Sequence, residues 1–210
     1  MLTNTNLDRL GDRLQRPLPG QDAQWRMAHL ARRGEFPIPD SARKAGVLAM
    51  FYPNAQGEWQ LALIERVSHH PGDRHGGQIS FPGGRYEEGD DTLMQTALRE
   101  TREEIGVDTS DVKVLGPMTE LYIPVSNYLV HPFVGILPYT PVFSPQWDEV
   151  QSVVEASLES LLQASTRQIT DLQLSTNILL KEVPYFNVSG KVVWGATAMI
   201  LNELLEVMEG

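Results

Sequence analysis

Gly83-Gly84-Arg85-Tyr86-Glu87-Glu88-Gly89-Asp90-Asp91-Thr92-Leu93-Met94-Gln95-Thr96-Ala97-Leu98-Arg99-Glu100-Thr101-Arg102-Glu103-Glu104-Ile105-Gly106-Val107 is the stretch on which the reading of this chain turns. Asp90-Asp91 offers an N-cap and Gly106 a stop, so the spacing predicts a helix from Asp91 to Ile105. At about 100° per residue, Leu93, Met94, Ala97, Leu98, Thr101 and Ile105 gather on one side as a buried face. Glu100, Glu103 and Glu104 fall within an arc of about 100° beside it, with Arg99 and Arg102 pointing elsewhere. Carboxylates in the last turns of a helix oppose its dipole, where a cation would be stabilising by about 0.3–1 kcal/mol. Glu100 and Glu104 are also a like-charge i,i+4 pair, unfavourable by about 0.2–0.5 kcal/mol. Between Arg85 and Glu104 stand seven acids against three bases. Helix stability alone does not select that density of oxygen donors, whereas a divalent-cation site requires it.

Outward from the helix, Gln78 to Phe81 reads as a short strand running into Pro82-Gly83-Gly84. Further upstream, Ala45–Tyr52 and Trp59–Arg66 read as a hairpin joined by the turn-forming Pro53-Asn-Ala-Gln-Gly57. Residues 1–44 form an N-terminal extension, rich in prolines at 17, 19, 37 and 39 and with a short helix expected over Gln24–Arg32. Downstream come strand-like segments at Lys113–Leu115, Tyr122–Val125 and Leu129–Leu137, and a mixed stretch at Glu149–Leu162. A last amphipathic helix is expected over Val193–Val207. Interleaved strands and helices predict an α+β, or mixed α/β, fold with a central mixed sheet. The units are an extension over 1–44 packed on the core, then one domain over 45–210.

With 210 residues, 41% hydrophobic and 21% charged, the chain has the length and composition of one globular domain with a modest extension. It contains no Cys, which removes disulfides, zinc-thiolate and iron-sulfur sites and thiol nucleophiles, and leaves oxygen and imidazole ligands for any metal. Seventeen basic against 27 acidic residues, net −10, argue against nucleic acid or an anionic membrane as partner. No apolar run is long enough for a membrane span and no secretory signal is visible, which predicts a cytoplasmic protein. A phosphate-bearing substrate would need a cation to mediate its binding to so acidic a chain.

The run Gly83-Gly84 through Arg99-Glu100-Thr101-Arg102-Glu103-Glu104-Ile105-Gly106-Val107 resembles the Nudix box of Nudix hydrolases, whose core is Arg-Glu-U-x-Glu-Glu-x-Gly-U with U apolar. Thr101 stands where the box prefers an aliphatic residue, and Gly84 to Arg99 is one residue longer than the commonest form. The longer spacing and the preceding His75-Gly-Gly77-Gln78-Ile-Ser-Phe81-Pro82-Gly83-Gly84 resemble the coenzyme A pyrophosphatase subgroup, as does Val193-Trp194-Gly195-Ala-Thr-Ala. Arg66-Val67-Ser68 is set about two residues further from His75 than that subgroup's Arg-Ser pair.

The resemblance implies a Nudix αβα sandwich and Mg²⁺- or Mn²⁺-dependent cleavage of a small nucleoside diphosphate derivative. Its leading candidate is coenzyme A, giving 3′,5′-ADP and 4′-phosphopantetheine. ADP-ribose, another dinucleotide, or a non-catalytic nucleotide-sensing role remain as alternatives. By the same resemblance Glu100, Glu103 and Glu104 are metal ligands, joined by the Gly84 carbonyl, and Arg99 orients a carboxylate through a bidentate pair. Glu100 is the first choice of general base and Glu149, in Trp147-Asp-Glu-Val, the second. Arg66, Arg74, His75, Gln78 and the Gly83 backbone are candidate substrate contacts, and Tyr122, Tyr128 and Trp147 candidate stacking surfaces for a base. The oligomeric state stays open, with a homodimer among the options.

Overall fold

Strand β1 (Arg43–Pro53) organises the fold because both of its faces are apolar: Leu48, Met50 and Tyr52 point one way, Ala45, Ala49 and Phe51 the other. The structure is a computed structural model describing residues 7, 9–34, 36–68, 76–175 and 178–210. β1 pairs antiparallel with β2 (Trp59–Arg66), as the hairpin pattern requires. Strand β3 (Ile79–Ser80) adds to β2, and β4 (Gly83–Arg85) lies antiparallel against β1. β5 (Lys113–Pro117) and β6 (Leu121–Ile123) both pair with β7 (Tyr128–Ile136), which runs parallel to β1, and β8 (Val150–Ser157) closes on β2. The result is an eight-stranded mixed sheet. A separate antiparallel sheet of β9 (Arg167–Ser175), β10 (Ile178–Val188) and β11 (Lys191–Trp194) was not expected from the sequence.

Helices α1 (Leu10–Leu14) and α2 (Gly20–Arg26) precede β1, α3 (Leu93–Ile105) follows β4, α4 (Leu158–Leu161) follows β8, and α5 (Gly195–Glu209) follows β11. α3 covers the face bearing Leu48, Met50, Tyr52, Ala62 and Ile64, with Ala97 and Ile105 buried against them. Gly46 sets how closely it lies: a Cβ there would come 2.3 Å from the Leu93 carbonyl and 3.0 Å from the Ala97 amide. The other face packs against α5, whose Met199, Ile200, Leu201, Leu204, Leu205 and Met208 share one core with Leu10, Leu14 and Met27. Layering is therefore helix, sheet, helix, an αβα sandwich of mixed α+β class. Among the described residues no helix is long and apolar enough to cross a membrane.

Several local expectations change. The helix placed over 24–32 is instead α2, ending at Arg26, followed by a single 3₁₀ turn at Leu30–Arg32 capped by the His29 side chain. The cap of α3 is Thr92, whose hydroxyl accepts the Gln95 N–H, because Asp90 is engaged elsewhere. Gly106 takes the left-handed conformation that closes this helix, as expected. Met94 is exposed, while Thr96 and Glu104 are buried in its place, because the helix tilts its polar flank onto the loop before it. α5 begins two residues later than expected and is buried almost all round rather than amphipathic, since the first helices cover the side away from the sheet.

Candidate active site

Glu104, at 3% exposure, is the innermost carboxylate of α3. Its Oε2 accepts the Gly83 N–H at 2.7 Å and its Oε1 accepts Arg66 Nη1 at 3.2 Å. Strand β4 therefore brings the first glycine of the Gly-Gly pair directly onto the helix, and β2 delivers Arg66 from the same sheet face. Burial pushes the Glu104 carboxyl up to about 7, with Glu100 and Glu149 adding to the rise and Gly83 and Arg66 opposing it. Burial likewise raises Glu100, countered by Arg99 and reinforced by Glu103 and Glu149. Glu149, the residue before β8, is exposed yet within electrostatic reach of both, so four carboxylates from two parts of the chain form one patch.

Arg99 is the hub of that patch rather than pointing away from it. Its Nη1 donates to Glu100 Oε1 at 3.0 Å and to Glu103 Oε2 at 3.1 Å, drawing two carboxylates around one charge. Its bidentate pair is with Asp90, Nε to Oδ1 at 2.9 Å and Nη2 to Oδ2 at 3.0 Å. Asp90 also accepts the Thr96 hydroxyl at 2.8 Å and the Glu87 N–H at 3.2 Å, and the guanidinium holds its carboxyl well below the usual range. This role of Asp90 went unread in the sequence, where it looked like a cap. Its signal is an acid in the entering loop, six and nine residues before a threonine and an arginine on one helix flank.

Gly84 is placed for close approach: a Cβ there would lie 2.5 Å from the Glu100 carboxyl carbon. Gln78 and Gly77 are tied by backbone to Arg66, Arg66 N–H to the Gln78 carbonyl at 3.0 Å and Gly77 N–H to the Arg66 carbonyl at 2.8 Å. Arg74 and His75 lie outside the described residues. Tyr128 lies under the Arg43 guanidinium and Tyr122 gives its hydroxyl to Asn127, while Trp147 is 69% exposed two residues before Glu149.

The donor set suits a hard divalent cation: every side chain is a carboxylate, Glu100 and Glu104 are held above their ordinary pKa by burial and by neighbouring carboxylates, and a cation relieves both effects. Among the described residues, however, no group of three or more acids or histidines is set to hold an ion as it stands. Glu100 and Glu103 are turned to Arg99, and Glu104 to Gly83 and Arg66.

Fold, glycine pair and carboxylate helix together define a class, and comparison with known proteins agrees. A sequence model of the NUDIX domain matches residues 42–173, so the chain belongs to the Nudix family. It is 30% identical over 209 residues to an uncharacterized Nudix hydrolase, NudL, of Yersinia pestis (strain Pestoides F), covering 98% of this chain and 96% of that one. NudL of Yersinia pseudotuberculosis serotype O:3 (strain YPIII) matches equally. Among solved structures, the Nudix hydrolase RenU of M. smegmatis superposes with a TM-score of 0.50 at 15% identity, over 80% of this chain and 87% of that one. A MutT/nudix family protein from Enterococcus faecalis gives 0.50 at 15%, over 90% and 73%. The chain is thus a Nudix hydrolase of pyrophosphate bonds in nucleotide derivatives, a family that works with divalent metal ions.

Proposed function

We propose that this hydrolase cleaves coenzyme A to 3′,5′-ADP and 4′-phosphopantetheine in the cytoplasm, with Mg²⁺ or Mn²⁺ as its ion. The observation that carries this reading is the run His75-x-Gly77-Gln78-x-x-Phe81-Pro82-Gly83-Gly84, which resembles the coenzyme A subgroup and ends with the Gly83 N–H on Glu104. Residues 45–210 are the catalytic unit and residues 1–44 an extension upon it.

Glu100, Glu103 and Glu104 would hold the ion, with the Gly84 carbonyl beside them. When bound, it supplies Lewis-acid polarisation of phosphoryl oxygens and a water of lowered pKa. Arg99 keeps Glu100 and Glu103 gathered, and Asp90 keeps Arg99 in place. Glu100 and Glu149 are the candidates to take the proton from the attacking water; Glu149 is the more open of the two. Arg66, half-exposed beside Glu104, meets the pyrophosphate itself, leaving Arg74 to read the 3′-phosphate. His75 and Gln78 belong to the approach.

Comparing kcat/KM for coenzyme A, dephospho-coenzyme A and ADP-ribose with Mg²⁺ and with Mn²⁺ tests the reading. The expected order is coenzyme A first, by roughly tenfold to a hundredfold over the dephospho form, the worth of one charge-assisted contact. A clear lead for ADP-ribose rejects coenzyme A and keeps the chemistry. No turnover with any pyrophosphate metabolite rejects the catalytic reading in favour of a nucleotide sensor.

A further inference from the structure

A cavity of about 270 Å³ opens on the far side of the segment 76–79 from Arg66, walled by β9 and β11. That volume lies near the lower end for small-ligand clefts, about 300–1,000 Å³. Its β9 wall is Leu172 and Leu174, and its β11 wall is Lys191, Val192 and Trp194. The matched NUDIX domain ends at residue 173, so most of this wall, Trp194 included, is built by chain beyond it. We infer that this cavity receives the nucleobase of the substrate, stacked on the Trp194 indole.

Three observations carry the assignment. The cavity borders the site, because the segment lining it is hydrogen-bonded to Arg66 at Gly77 and Gln78, and the Arg66 guanidinium rests on Glu104. A nucleotide with its pyrophosphate at Glu104 therefore has a neighbouring recess for one end. Among the described residues its lining carries one ionisable group, Lys191, which gives its ammonium to Glu65 at 2.6 Å, and Glu65 also accepts the Ser152 hydroxyl. That pairing occupies the cation of the described wall, whereas an uncharged ring enters without burying a charge. Finally, the shape suits a flat group. Gly77, with φ of 72°, leaves open space where a side chain would stand, so bare backbone forms one wall while the indole and two leucines form the others. Much of the rest of the lining is polar, and an aromatic face set among polar groups is how proteins hold an extruded or single-stranded base. Gln78 and Gln173 also line the cavity, the Gln173 amide donating to the Ile178 carbonyl at 3.2 Å.

The inference rests on the assignment as a nucleotide hydrolase and is independent of coenzyme A, because adenine is common to coenzyme A, ADP-ribose and AMP. Trp194→Ala is expected to raise KM for coenzyme A and ADP-ribose alike by roughly tenfold, the worth of one base–aromatic stack, with kcat little changed and with Trp194→Phe retaining most of the affinity. Calorimetric titration with AMP is the arm that needs no turnover, and it is expected to show the same loss in Trp194→Ala and a smaller one in Leu174→Ser. Leu174 is partly exposed, so its truncation leaves a folded protein even where the Trp194 change, at the start of α5, does not. AMP affinity unchanged in the folded variants overturns the inference. A KM rise for coenzyme A with none for ADP-ribose also overturns it, by giving the cavity to the pantetheine arm. Loss of AMP binding in the variants without activity on coenzyme A upholds it while rejecting the substrate proposed above.

Discussion

Two glutamates are buried on opposite faces of the central sheet, Glu104 on α3 and Glu203 on α5, and they serve different ends. Glu203, at 0% exposure, accepts the Gly20 N–H at 3.2 Å and the Gln24 side-chain amide at 2.9 Å, so it fastens α2 to α5 with neutral donors. Glu104 also accepts a backbone N–H, but burial, reinforced by the nearby Glu100 and Glu149, pushes it up to about 7. Burial of a carboxylate therefore does not mark a site. A buried carboxylate kept in the company of others does, because only a cation makes that company favourable.

Glu104→Gln should give the largest break in this comparison: turnover falls by orders of magnitude while the thermal midpoint holds or rises, since the repulsion is removed with the charge. Full activity at limiting Mg²⁺ would end the site assignment. Asp90→Asn comes next. Loss of an outer partner that orients metal-site groups typically costs 10–100-fold in metal affinity or activity, and breaking its charged pair should cost about 1.5–3 kcal/mol of stability at pH 7. Because Arg99 holds the Asp90 carboxyl well below its ordinary pKa, that stability is present at neutral pH, begins to fall below about pH 4 and is fully lost only below the depressed value, so urea titrations of the two proteins should draw together progressively as the solution is made strongly acid.

Glu203→Ala should behave in the opposite sense to Glu104→Gln. It removes the acceptor of the Gly20 N–H and one of the two acceptors of the buried Gln24 amide, which keeps the Thr119 carbonyl, for about 1–3 kcal/mol, and leaves kcat intact; faster hydrogen exchange confined to α2 is the expected signature. Smallest of all is Thr101→Val. The Thr101 hydroxyl returns to the Ala97 carbonyl at 2.6 Å and touches no site group, so the change should stay within about 1 kcal/mol by denaturant melt and leave activity alone.

What the sequence exposed and what it hid follow from the range of the interactions. The α3 boundary at Gly106, the β1–β2 hairpin and the carboxylate arc are written in spacings of a few residues, and all are in the structure. The Arg99–Asp90 pair was hidden because the bend at 86–91 that turns Asp90 back onto the helix leaves no periodic trace. The β9–β11 sheet was hidden for another reason: exposed Ile169, Leu174, Ile178 and Leu179 break the alternation that announces a half-buried strand. Placing Met94 on the buried face was the natural error of a helical wheel, which ranks side chains by polarity, and the full burial of Glu104 depends on an arginine arriving from β2 that no wheel contains.

The parallel pairing of β1 with β7 ties residues 43–51 to residues 128–136, and α1 and α2 both pack against α5, α1 resting on β5 as well. During synthesis the half of the sheet that carries α3 can therefore assemble from near neighbours, whereas Leu10, Leu14, Met27 and the opposite face of β1 have their core completed only when α5 has been made. Folding of this chain is bound to be late and long-range on one side, and the interval before α5 docks is when the nascent protein is most open to aggregation and most in need of a chaperone.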